Sequence, residues 1–143
     1  MADSVHDASS SLAIAAPPET VWHALTDPAS IEKFFLGSKV ETTWEVGTPI
    51  TYSGEWNGKP YRDVGTILEV EPPRLLRTTH YSPLTGLPDA PENYHTVEYR
   101  VDPDGDGSRV TITQGNNRSD DEVPHAEENW ALVLGNLKTL IEG

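Results

Sequence analysis

The C-terminal stretch sets the first constraint on what this chain can fold into. Ala126, Trp130, Val133, Leu134, Leu137, Leu140 and Ile141 recur at a period near 3.6 and make a broad apolar stripe along one helix. A stripe that wide needs a large apolar surface opposite it. Glu127 and Glu128 near its start and Lys138 near its end suit the helix dipole. The start has two readings. Ser119 and Glu122 form a capping-box pattern, but Pro124 would then fall just past the first turn, so the spacing favours a main helix from about Pro124.

The surface that stripe needs is found between Val40 and Gln114, where β-branched and aromatic residues alternate between turn signals. Strands are predicted at Val40–Trp44, Pro49–Trp56, Arg62–Val70, Leu75–Tyr81, Tyr94–Val101 and Arg109–Gln114. Val46-Gly47, Asn57-Gly58, Pro72-Pro73 and Asp104-Gly105-Asp106-Gly107 are connections short enough for antiparallel neighbours. Ser82 to Asn93, with three prolines and a glycine, is longer and suits a binding loop or lid. Upstream, Ser11–Ala16 reads as a first or edge strand. Pro17-Pro18 then opens a helix carrying Val21, Trp22 and Leu25, and Asp27-Pro28 opens a second carrying Ile31, Phe34 and Phe35, ended by Gly37. Together these predict an α+β fold, a curved antiparallel sheet of about seven strands wrapped around the long helix. Residues 1–9 are small, polar and acidic and are expected as a flexible tail before a single domain at 10–143.

Charge and composition narrow the function. Ten Lys and Arg against 23 Asp and Glu give −13, which opposes nucleic acid and anionic membrane surfaces as partners. The chain has no cysteine, which excludes a catalytic thiol, a thiolate zinc site and an iron–sulfur cluster. Its start lacks the basic and apolar segments of a secretory signal, so a cytoplasmic location is expected. Asp102-Pro103-Asp104-Gly105-Asp106-Gly107 begins like a calcium loop, but its twelfth position is Thr113 rather than Glu and strands flank it, so it reads as an acidic hairpin turn. The histidines, His6, His23, His80, His95 and His125, show no metal-binding spacing; neither metal nor cofactor is expected. His80 and His95 lie on strands flanking the long loop and are placed to meet across the sheet.

Alternation also names a candidate lining. If Ile50, Val97, Val110 and Ile112 face inward, then Tyr52, Trp56, His95, Tyr99 and Gln114 face inward with them. The strand Leu75–Tyr81 is ambiguous: Leu75, Arg77 and Thr79 face the interior, or Leu76, Thr78 and His80 do. Phe34, Phe35, Trp130 and Leu134 come from the helices that close the space. Gly135 and Ala131 form a small-residue strip that either brings the long helix close to the sheet or leaves room for a ligand. The mixture of aromatic faces and hydrogen-bonding tips suits a pocket for a partly apolar molecule.

Three segments resemble a known family. Ala15-Ala16-Pro17-Pro18-Glu19-Thr20-Val21-Trp22-His23-Ala24-Leu25-Thr26-Asp27-Pro28, Gly65-Thr66-Ile67-Leu68-Glu69-Val70-Glu71-Pro72-Pro73-Arg74-Leu75, and Trp130 through Glu142 are similar in order and spacing to the START-like or Bet v 1-like superfamily (SRPBCC), in the branch of the C-terminal domain of the Hsp90 ATPase activator. Phe34-Phe35 stands where that branch often has paired Trp. The resemblance implies a helix-grip fold with a cavity between sheet and long helix, and no particular chemistry.

Three functions follow as expectations. The first is a protein that holds a small hydrophobic or amphipathic molecule in the cavity, through Phe34, Phe35, Tyr52, Trp56, His80, His95, Tyr99, Gln114, Trp130 and Leu134. The second is a cyclase- or hydrolase-like enzyme in which two of Arg77, His80, His95 and Tyr99 converge on one site. The third is an interaction module that contacts a chaperone through its outer surface. No Gly-x-Ser-x-Gly motif and no phosphate-cradling loop is present.

Overall fold

The computed structural model describes residues 7–35, 37–56, 58–82, 88–117 and 122–143. Seven antiparallel strands form one sheet in the order β1-β7-β6-β5-β4-β3-β2. They are β1 (Ala8–Ile14), β2 (Lys39–Glu41), β3 (Pro49–Trp56), β4 (Lys59–Glu71), β5 (Leu75–His80), β6 (His95–Asp104) and β7 (Gly107–Gly115). Helices α1 (Pro18–Leu25) and α2 (Pro28–Phe34) follow β1, and α3 (Glu122–Glu142) ends the chain. The expected α+β architecture is therefore present.

Local chemistry explains where these elements begin and end. Pro18 and Pro28 each start a helix where a missing N–H is harmless, and the Asp27 carboxylate accepts from the Ser30 amide at 3.3 Å. Several boundaries differ from the sequence reading. β1 opens at Ala8, so Ala8 and Ser9, assigned to the tail, already pair with Gln114 and Thr113. β2 stops at Glu41, and Trp44, expected as its last residue, takes a left-handed φ of 63°, outside the β region. α3 starts at Glu122, which puts Pro124 within the first turn, where the helix has unpaired donors in any case. Asn57 and the Ser119 cap lie outside the described residues.

The inner face of the sheet builds the core. Ile50, Val97, Val110 and Ile112 are buried as expected, against Val133, Leu134 and Leu137 of α3. Cross-strand register settles β5. Leu76 pairs with Tyr99, Thr78 with Val97 and His80 with His95, so these three face the helix. Arg77 points to the outer face, where Glu69 and Glu98 hold it at 2.6 and 3.1 Å. Gly65 allows β4 to pass tightly under β5; a Cβ there would come within 1.8 Å of the Thr79 carbonyl oxygen.

Candidate functional site

The space between sheet and helices is divided in two. Toward α1 and α2, Leu25, Ile31, Phe34, Tyr52, Leu76 and Tyr99 close on one another and leave only about 10 Å³. That end is packed. At the other end, beneath the first turns of α3, a cleft of about 390 Å³ opens to the surface. Its floor is apolar: Phe35, Ala126, Trp130 and Val133. Its rim is polar: Asp63, His80, Gln114, Glu122, His125 and Asn129.

Aromatic contacts separate the two ends. Phe35 stacks on Tyr52 with ring centroids 5.2 Å apart and meets Trp130 edge-on at 5.6 Å, while Trp130 stands edge-on to Tyr99 at 6.0 Å. Burial pushes both the Tyr52 and Tyr99 hydroxyls well above the ordinary tyrosine range, and each acts on the other's titration. They form a neutral polar pair under the cleft floor. The Trp130 indole donates to Gln114 Oε1 at 2.9 Å, and Gln114 Nε2 donates to Asn117 Oδ1 at 2.6 Å. Trp130 thus gives the cleft a ring face with its donor already used.

The ionisable groups run along one side. His80 Nε2 lies 3.0 Å from Asp63 Oδ2, and the His80 ring stands edge-on to Tyr52 at 6.0 Å. The other carboxylate oxygen of Asp63, Oδ1, is buried without a hydrogen-bond partner. Across the β5–β6 pair, His95 Nε2 lies 3.4 Å from Glu122 Oε2, also without a well-formed hydrogen bond. Burial holds the His95 pKa below the usual histidine value, with Glu122 opposing and His80 adding to the shift. Among the described residues, no three His, Asp or Glu side chains gather in a way that holds a metal ion.

The candidate residues therefore separate by position. Phe35, His80, Gln114 and Trp130 line the cleft. Tyr52 and Tyr99 lie beneath it, Phe34 and Leu134 are core, and His95 sits behind His80. The Trp56 side chain lies outside the described residues. Of the four proposed catalytic side chains, Arg77 is on the outer face and Tyr99 is buried, while His80 and His95 are paired across β5 and β6 and His80 alone of the four lines the cleft. Asp63 was not anticipated, although its position follows from the Trp56–Lys59 turn pairing, which sets Asp63 opposite Tyr52. Glu122, His125 and Asn129 were missed because they occupy the polar side of the first turns of α3.

Comparison with known proteins agrees with this architecture. Residues 15–142 match the family model of activator of Hsp90 ATPase homolog 1-like proteins. The solution structure of a Cytophaga hutchinsonii protein is similar at 42% identity and a TM-score of 0.82, covering 95% of this chain and 93% of that one. A Mesorhizobium loti protein is similar at 25% identity and a TM-score of 0.77, covering 95% and 96%. The Aha1 dimer from Colwellia psychrerythraea shares the fold at 20% identity and a TM-score of 0.74, covering 95% and 96%. No match is found among curated proteins. On the match across residues 15–142, the chain belongs to the family of activator of Hsp90 ATPase homolog 1-like proteins, within the START and Bet v 1 superfamily.

Proposed function

We propose that this protein binds a small amphipathic molecule in the cleft between the sheet and the start of α3. The observation that carries the reading is the composition of that cleft: an aromatic and aliphatic floor with hydrogen-bonding groups at its rim, in a space of about 390 Å³. That volume falls in the range of small-molecule sites, about 300–1,000 Å³. The packed end removes Phe34, Tyr52, Tyr99 and Leu134 from direct contact and leaves Phe35, Trp130, His80 and Gln114 as the contact set.

The test is a thermal-shift screen of lipids and aromatic metabolites, followed by observation of the Trp130 indole N–H by NMR. A binder raises the melting temperature and moves that resonance, and Ala126→Phe, which fills the floor, weakens both effects. A library in which no compound stabilises the protein or moves the indole overturns the reading. The enzyme reading is less well supported, because of the four proposed catalytic side chains only His80 lines the cleft.

A further inference from the structure

We propose that the Asp63–His80 pair selects the polar end of the ligand, accepting a hydrogen bond from a hydroxyl or ammonium group and rejecting a carboxylate. This rests on the cleft being a binding site and adds the chemistry of what enters it.

Asp63 stands at the rim of the cleft. Its side chain is 14% exposed; one oxygen is committed to His80 at 3.0 Å, and the other is buried with no hydrogen-bond partner. An ionised carboxylate only accepts hydrogen bonds, so an unpaired buried oxygen is unfavourable until a donor reaches it. His80 reinforces this polarity. With its Nε2–H directed to Asp63, its Nδ1 presents a lone pair, and among the described residues no hydrogen bond engages that atom. Both members of the pair therefore offer acceptors.

Asn129 and His125 on the α3 side of the rim carry groups able to donate, but the charge of the described lining is acidic. Glu122 places a second carboxylate at the rim, and among the described residues no Lys or Arg lines the cleft. Arg77, three residues before His80, is held on the opposite face by Glu69 and Glu98. The indole donor of Trp130 and one N–H of the Gln114 amide are used internally. An anionic end would meet like charge and uncommitted acceptors, whereas a donor would satisfy Asp63 while its apolar body rests on Phe35 and Trp130.

Four compounds with one ring system test this on the full chain: 2-naphthol, 2-naphthylmethylammonium, 2-methoxynaphthalene and 2-naphthoate, titrated by NMR while following the Trp130 indole. The two donors are expected to bind about tenfold more tightly than the ether and the carboxylate, as one hydrogen bond to a charged acceptor implies. Asp63→Asn is expected to shrink that gap to about twofold, chiefly by strengthening naphthoate binding. The wild-type series stands whether or not this variant folds. If naphthoate or the ether moves the indole and binds as tightly as naphthol, the cleft reading survives and the donor selection is wrong. If none of the four moves the indole but a compound of the thermal-shift library does, the cleft reading survives and the donor selection is wrong; if nothing in either set does, both fall.

Discussion

Single residues decide how closely the elements approach, and two glycines show opposite cases. Gly135 lies inside α3 with nothing within 4 Å of the position a Cβ would take, so it is not there to let the helix approach the sheet. Gly135→Ala should stabilise the protein by about 0.5–1 kcal/mol through helix propensity, read as a melting temperature higher by roughly 3 °C. Gly65→Ala should do the reverse. Its Cβ would collide with the Thr79 backbone at 1.8 Å, so a loss above about 3 kcal/mol or failure to fold is expected in denaturant melts. From sequence, Gly135 left two readings open and Gly65 was only part of a motif, because spacing along one strand does not reveal what its neighbour presents. Asp63 was legible in principle, once the turn after Trp56 had fixed the register against Tyr52.

Among the elements, α3 and β1 show how much amphipathicity leaves unsaid. The apolar stripe of α3 was readable, and Val133, Leu134 and Leu137 are buried as it required. Its glutamates were read only as dipole partners. In the structure they also reach the free edge of β1: Glu127 Oε2 accepts from the Ser9 amide at 3.0 Å and Glu142 Oε2 from the Ala15 amide at 2.7 Å, while Lys138 donates to the Ala13 carbonyl at 3.3 Å. Lys138 and the Ala15 amide hold the Glu142 carboxyl below the usual range. An outer strand that would otherwise present open backbone groups is thus shielded by side chains of a helix. Replacing both glutamates with alanine should speed amide exchange at Ser9 and Ala15 while leaving Val97 and Val110 protected. Unchanged exchange at those two amides would show that the side chains do not guard the edge.

At the scale of the whole molecule, the net charge of −13 and the buried histidine pull stability in different directions as pH falls. Acidification relieves self-repulsion. His95 opposes it: unfolded, it takes a proton near its ordinary value of about 6.5, but in the fold burial delays that uptake, with His80 on β5 and Glu122 on α3 facing it. Because the folded pKa is the lower one, the stability it contributes is complete above the unfolded value and is lost as pH falls through the folded one. Between about pH 7.5 and 5.5, before most carboxylates titrate, the melting temperature of wild type should decline more steeply than that of His95→Gln. Equal slopes would exclude His95 as the cause. The arrangement of the sheet has a temporal consequence as well. β1 pairs with β7 and bonds to a helix residue 118 positions later, so during synthesis the first strand must wait, unpaired, until almost everything after it has left the ribosome. Closure is then a late event between distant parts of the chain, the kind of topology that folds slowly for its size.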